Sequence, residues 1–161
     1  MLARLARPAY IGAAWLFAIL IPLQFFFAGT GMFSNTGFSP HVYLGLILHA
    51  ISGALIAFAV IGRLPRRALE YGVLQFVLIG MQVVLVRVAS PSATISIEPQ
   101  FVSNLIMTVM QPIHDVLRGN AGLVGSLHAV NALAISGVAV LTVLYVRKLG
   151  SAVPTGVRIT T

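Results

Sequence analysis

Four stretches of this sequence are each long and apolar enough to cross a lipid bilayer as a helix. The hydrocarbon core of a bilayer is about 30 Å thick and takes about 20 helical residues. The stretches cover residues 10–29, 42–62, 71–89 and 122–146. Within hydrocarbon, a lone segment satisfies all its backbone hydrogen bonds only as a helix. The sequence therefore predicts an all-α integral membrane protein, a single four-helix bundle of residues 1–161 with up-down-up-down topology.

The composition agrees with lipid as the solvent of this chain. Of its 161 residues, 58% are hydrophobic and only 8% are charged, whereas soluble domains carry about 25% charged residues. The net charge of +7 would suggest nucleic acid as a partner of a soluble protein. Here the basic residues lie in short loops and tails, where they orient a membrane protein and meet anionic lipid. We expect membrane lipid, and no nucleic acid, as the partner of these charges.

Two absences from the sequence narrow the chemistry. There are no cysteines, which excludes disulfides, thiolate metal sites, iron–sulfur clusters and a thiol oxidase mechanism on this chain. The three acidic residues, Glu70, Glu98 and Asp115, lie outside the middle of the apolar stretches. A proton-coupled transporter usually has a carboxylate within the membrane, and no inverted repeat indicates a transporter either. We expect a protein that is not an enzyme by itself.

The distribution of basic residues predicts the orientation. Eight of the ten fall on one side of the four-span arrangement: Arg4, Arg7, Arg63, Arg66, Arg67, Arg147, Lys148 and Arg158. Only Arg87 and Arg118 fall on the other side. Because cytoplasmic loops carry the excess of Lys and Arg, we predict a prokaryotic cytoplasmic membrane protein with both termini in the cytoplasm.

The loop after the third span has a helical pattern of its own. Its apolar residues recur with helical spacing on one side: Val102, Leu105, Ile106, Val109, Ile113 and Val116. The stretch is too short and too polar to span the bilayer. This pattern predicts a short amphipathic helix over residues 101–117 that lies on the outer membrane surface.

Polar residues from all four spans fall at a similar depth. With a rise of about 1.5 Å per residue, these four residues lie roughly 5–9 Å outward of the midplane: Gln24, His49, Gln82 and His128. Asn131 lies one turn below His128 on the same helix face. One explanation is a cluster of interhelical hydrogen bonds that fixes the helix register.

A haem site is the functional explanation of this layer. The second and fourth spans are diagonal in a simple bundle, so His49 and His128 would face each other. Gly45 and Gly53 flank His49 one turn away, and Gly125 and Ala132 flank His128. Two facing neutral imidazoles bind a haem iron axially in membrane cytochromes of the b type.

Neighbouring polar residues have predicted supporting roles in such a site. Gln24, Gln82 or Asn131 would orient an imidazole, and Arg87 would meet a haem propionate. His41 falls at the water boundary, where we predict a structural role, and His114 is the weaker ligand candidate of the surface stretch.

Two segments resemble a known family. One is AGTGMFSNTGFSPHVYLGLILHAISG, with Gly29, Gly31 and Pro40-His41, and the other is LHAVNALAISG, with His128 and Asn131. Together with the length and the predicted topology, they resemble a family of small bacterial four-helix membrane proteins classed as a domain of unknown function. That family implies the four-helix fold and no activity. The architecture also looks like the membrane anchors of b-type cytochromes.

The sequence leaves two functions open. The first is a small membrane protein that holds haem b between His49 and His128 and carries electrons near the outer surface. The alternative is a non-catalytic accessory subunit, bound to other membrane protein subunits in a larger complex, because its short loops leave little protein outside lipid.

The predicted orientation is tested with reporter fusions. A reporter after Thr161 should report a cytoplasmic location, and one inserted near Ser96 should report the outside, because the charge asymmetry is eight residues to two. An external C-terminus would contradict both the orientation and the count of four spans.

Overall fold

The described part of the chain consists of four long helices and short connections. The computed structural model describes residues 2–34, 37–89, 108 and 120–151, without the side chains of 87–89 and 121. The helices are α1 (Leu2–Phe33), α2 (Ser39–Ile61), α3 (Arg66–Ala89) and α4 (Ala121–Ser151). This confirms the predicted all-α class. The surface helix predicted over residues 101–117 lies outside the described residues, apart from Thr108, and stays a prediction.

The helices extend beyond the predicted spans. α1 begins at Leu2 and continues through Pro8 and Pro22, and α4 continues to Ser151. The sequence-based bounds counted the residues that cross hydrocarbon, whereas helical hydrogen bonds continue into the interface. Basic residues such as Arg4 and Lys148 therefore lie on helical turns at the ends of the spans.

All four helices are long and apolar enough to cross a membrane. Their most apolar 18-residue windows have mean hydropathies of 1.8 to 2.4, and only 11 to 33% of each window is buried within the bundle. Large apolar side chains such as Phe26, Ile19 and Leu133 are 61 to 66% exposed. An apolar surface of this extent requires lipid around it. The chain is a small membrane protein.

Each helix packs against two others. α1 packs against α2 and α4, and α3 packs against the same two helices. Gln24 of α1 contacts His41 of α2, whereas Ala6 of α1 approaches Gly62 of α2. The paired residue numbers run in opposite order, so these neighbours are antiparallel. We call the end with His41 and His128 the histidine end, and the opposite end, with Arg7 and Arg67, the arginine end.

Two apolar clusters fill the bundle between these ends. The first contains Phe17, Ile21, Leu44, Leu48, Ile79, Ile135 and Ala139. The second, closer to the arginine end, contains Tyr10, Ala14, Leu55, Ala59, Ala68 and Val146. Both draw residues from all four helices, since close packing in lipid depends on van der Waals contact rather than on expulsion of water.

Glycines allow α2 and α3 to approach closely. A Cβ added at Gly72 would lie 3.2 Å from the backbone nitrogen of Ile56 and 3.4 Å from the carbonyl carbon of Leu55. The Phe76 ring covers Gly53, 3.7 Å from the position of its missing Cβ. Small residues at helix contacts are a common device of membrane bundles, and here they fix how α2 sits on α3.

A fully buried polar pair joins α3 to α4. The Gln75 side-chain amide donates to the Thr142 hydroxyl oxygen at 2.8 Å, and that hydroxyl donates to the Val138 carbonyl at 2.7 Å. Gln75 and Thr142 have no exposed surface. These two bonds offset part of the cost of removing the groups from water, whereas the Gln75 Oε1 atom is buried without a partner among the described residues.

The close approach at Gly72 is tested by Gly72→Ala. Alanine favours a helix by about 1 kcal/mol over glycine, but its methyl group would force α2 and α3 apart. We expect a lower thermal unfolding midpoint in detergent. Gly137→Ala is the matched control, because Gly137 is exposed and has nothing within 4 Å of the Cβ position. An equal or raised midpoint in both variants would contradict the tight contact.

The Gln75–Thr142 bond is tested by a double-mutant cycle. Gln75→Leu, Thr142→Val and the double variant should show a coupling energy of about 0.6 to 1.7 kcal/mol, the range for interhelical hydrogen bonds in membranes. Reversible unfolding in mixed detergent micelles measures it. Ser136→Ala provides the control, since the Ser136 hydroxyl donates to Ala132 of its own helix and should show no coupling to Gln75→Leu.

Candidate functional site

A chain of four polar side chains crosses the histidine end, one from each helix. Gln24 of α1 contacts His41 of α2, the His41 ring lies beside the His128 ring of α4, and Gln82 of α3 bonds to the His128 backbone. We call these four residues the polar layer. Gln24, Gln82 and His128 were predicted to lie at this depth together. The fourth residue is His41, whereas the sequence indicated His49.

The contacts of His41 make its Nδ1 atom a hydrogen-bond donor. The Nδ1 atom lies 3.1 Å from the backbone carbonyl oxygen of Gln24. Because a carbonyl only accepts, Nδ1 must carry a hydrogen and donate it to this oxygen. The Gln24 side-chain amide donates to the His41 carbonyl at 3.0 Å and lies 3.4 Å from Nε2. These contacts hold the His41 ring against α1.

The two imidazoles of the polar layer approach each other across the bundle. The ring centroids of His41 and His128 are 6.3 Å apart, with an angle of 54° between the planes. The Gln82 amide donates to the His128 carbonyl at 3.2 Å, which ties this turn of α4 to α3. Diagonal helices thereby present two imidazoles to one space near the membrane boundary.

The polar layer is incompletely satisfied. Three of its buried atoms have no hydrogen-bond partner within the described part of the chain: Gln24 Oε1, Gln82 Oε1 and His128 Nδ1. An unpaired buried polar group costs about 1 to 3 kcal/mol, so native proteins rarely leave several together. Groups of this kind indicate a ligand or water that takes up the free hydrogen-bonding capacity.

His49 lies in a different environment. Its ring packs edge-on against the Phe76 ring, with centroids 4.3 Å apart, and Cε1 lies 4.0 Å from the Cβ position of Gly80. Its Nε2 atom is buried and has no partner among the described residues. The Ser52 hydroxyl donates to the His49 carbonyl at 2.7 Å. The His49 side chain therefore faces α3.

The remaining predicted site residues have separate positions. The Asn131 amide donates to the Leu78 carbonyl at 2.8 Å, so it links α4 to α3. Arg87 belongs to the last turn of α3 at the histidine end, but its side chain is not among those described. Its predicted contact with a propionate stays a prediction.

Sequence reasoning assigned His41 a structural role because it falls near the end of a span. Two signals pointed to it nevertheless. His41 and Gly45 are one turn apart on the same face of α2, and Pro40-His41 is part of the motif that carries the family resemblance. A Cβ at Gly45 would lie 3.3 Å from the Gln24 amide nitrogen, so the missing side chain makes room for the polar layer.

The set of possible metal ligands is small. Within the described ranges, no three His, Asp or Glu side chains form a group that could hold a metal ion. A structural zinc site needs four protein ligands and a catalytic one needs three.

Comparison with known proteins finds a family match over part of the chain. No curated protein and no solved structure matches the chain. Residues 24–90, from the polar layer in α1 to the end of α3, match the family described as "Family of unknown function (DUF6220)", which confirms the resemblance to an uncharacterised family over this part of the chain.

Proposed function

We propose that this protein binds one b-type haem through His41 and His128 and carries electrons near the outer surface of the membrane. The observation that carries the proposal is the 6.3 Å separation of the two imidazole centroids. A metal–imidazole bond is about 2 Å long, and the ring centre lies about 1 Å beyond the ligating nitrogen. Two axial imidazoles on one iron therefore have centroids about 6 Å apart.

The hydrogen bonds of His41 support the same assignment. Histidines that ligate metals usually donate the hydrogen of the other ring nitrogen to a carbonyl or carboxylate. His41 Nδ1 donates in this way to the Gln24 carbonyl at 3.1 Å. The His41 Nε2 atom would then bind the iron. The Gln24 side-chain amide, which lies 3.4 Å from Nε2, would move aside.

The number of protein ligands also supports haem rather than a bare metal ion. A porphyrin supplies four equatorial nitrogens, so the chain needs to supply only two axial ligands. If His41 and His128 both held haem iron, it would have no free site for dioxygen or a substrate. Electron transfer is then the chemistry that the site suits.

Small residues near the imidazoles present no side chain that would block a flat macrocycle. Gly125, three residues before His128, has nothing within 4 Å of its Cβ position, and the same is true of Gly29 in α1. The histidine end is near the membrane boundary, where propionates would reach water and Arg87. The side-chain oxygens of Gln24 and Gln82 are buried without described partners. These two side chains would change conformation to accommodate the cofactor.

The second candidate function is that of an accessory subunit in a larger membrane complex. It is favoured by the short connections of the bundle, since only residues 34–38 join α1 to α2 and residues 62–65 join α2 to α3. Little of this part of the chain extends beyond lipid, and its apolar faces are open to contact with other membrane helices.

An optical spectrum with histidine variants tests the haem proposal. The protein purified in mild detergent should bind about one haem per chain and show sharpened α and β bands on reduction with dithionite. His41→Ala and His128→Ala should each abolish this low-spin spectrum, because one axial ligand is lost. His49→Ala is the matched control and should retain it, since His49 packs against Phe76.

Two results would contradict the assignment. Loss of the spectrum in His49→Ala but not in His41→Ala would restore the pair expected from sequence. A wild-type protein without haem, even when produced with added haem precursor, would overturn haem binding and leave the accessory-subunit function.

A further inference from the structure

A second group of polar residues lies at the arginine end. It consists of Tyr71, Tyr145, Arg7 and Arg67, and we call it the arginine–tyrosine cluster. The rings of Tyr71 and Tyr145 meet edge to face, with centroids 5.7 Å apart. Arg7 bonds to the Leu149 carbonyl, one turn after Tyr145 on α4, and Tyr145 packs on the apolar cluster that contains Ala68, the residue after Arg67.

The Tyr145 hydroxyl has no use within the described protein. Its oxygen is buried and has no hydrogen-bond partner among the described residues. Tyr10 provides the contrast, because its hydroxyl, which is also buried, donates to the Ala68 carbonyl at 2.8 Å. An unpaired buried hydroxyl costs about 1 to 3 kcal/mol of stability. A ligand that hydrogen-bonds to the Tyr145 hydroxyl would offset this cost.

The two arginines also lack an acidic partner. The single ion pair of the described ranges joins Arg66 to Glu70 at 2.8 Å, on an exposed turn of α3. Arg7 is half-buried and donates to the Leu149 carbonyl at the end of α4. This bond fixes the guanidinium group but leaves its charge uncompensated, and Arg67 is exposed at the start of α3, at the same end of the bundle.

We infer that the arginine–tyrosine cluster binds the phosphate of an anionic phospholipid headgroup. Guanidinium groups recognise phosphate through paired, charge-assisted hydrogen bonds, and the Tyr145 hydroxyl adds a third donor. The start of α3 contributes a positive helix dipole. The cluster lies at the ends of membrane-spanning helices, at the depth of lipid headgroups, which favours a lipid over a soluble anion.

This site is independent of the haem proposal. The polar layer and the arginine–tyrosine cluster are at opposite ends of the bundle, with two apolar clusters between them. The test of lipid binding at the arginine end is therefore independent of whether His41 and His128 hold a cofactor.

The experiment measures phosphatidylglycerol binding to the purified full chain by native mass spectrometry, with phosphatidylcholine as the uncharged comparison. Arg67→Gln should weaken phosphatidylglycerol binding about fivefold, the usual effect of one basic residue near an anionic lipid. Tyr145→Phe should weaken it at least about threefold through loss of one hydrogen bond, while the ring contact with Tyr71 is kept.

Arg66→Gln is the matched control. It removes the same charge from the neighbouring position, but Arg66 is already paired with Glu70, so phosphatidylglycerol affinity should stay within about twofold of wild type. Thermal unfolding of all variants shows that each is folded. Equal losses in Arg66→Gln and Arg67→Gln, with none in Tyr145→Phe, would mean general charge attraction and would overturn the site.

Inorganic phosphate distinguishes the two possible sources of the anion. Millimolar phosphate should leave lipid binding unchanged, because it lacks the acyl chains that hold a lipid at this depth. Full competition by inorganic phosphate would overturn the assignment to lipid and identify a site for a free anion.

Discussion

The contact between α2 and α3 sets the arrangement of the whole bundle. Gly72 allows the two backbones to approach closely, and the Phe76 ring covers Gly53. These contacts turn one face of α2, the one that carries His49, toward α3. His41 is eight residues earlier, which corresponds to about 80° of rotation around the helix axis. Its side chain therefore meets α1 and α4, and the polar layer follows from this orientation.

This dependence explains which parts of the site were predictable from sequence. The length of the apolar stretches is sufficient to predict four spanning helices, and Gln24, Gln82 and His128 do lie together. Counting residues along a helix gives their depth and their rotation relative to one another, but not the direction in which the whole helix faces its neighbours. The ring beside His128 consequently belongs to His41 rather than His49, although both lie on α2. Asn131 shares a face with His128, but its amide bonds to the Leu78 backbone.

The helix bounds and the side-chain partners could not be predicted from the sequence, for different reasons. Arg4 and Arg7 end the apolar stretch, but they do not end α1, because backbone hydrogen bonding continues where lipid gives way to water. The spacing of seven residues places Gln75 and Gln82 on one face of α3, but Gln75 does not join the polar layer. It instead pairs with Thr142, a hydroxyl that apolar patterning does not single out. Polar residues in lipid find partners, but periodicity alone does not identify them.

The unequal helix lengths have a consequence for the bilayer itself. α1 has 32 residues and α2 only 23, which correspond to about 48 Å and about 35 Å of helix. A long helix adapts to a thinner bilayer by tilting, whereas a short one in a thicker bilayer must thin the lipid around it. The turn from Gly62 to Pro65, with Arg63 at φ +47°, joins the two shorter helices, and Arg66 and Arg67 follow it in the first turn of α3. Hydrophobic mismatch would therefore be concentrated around α2 and α3, so membrane thickness would act on the pair of helices that orients His41.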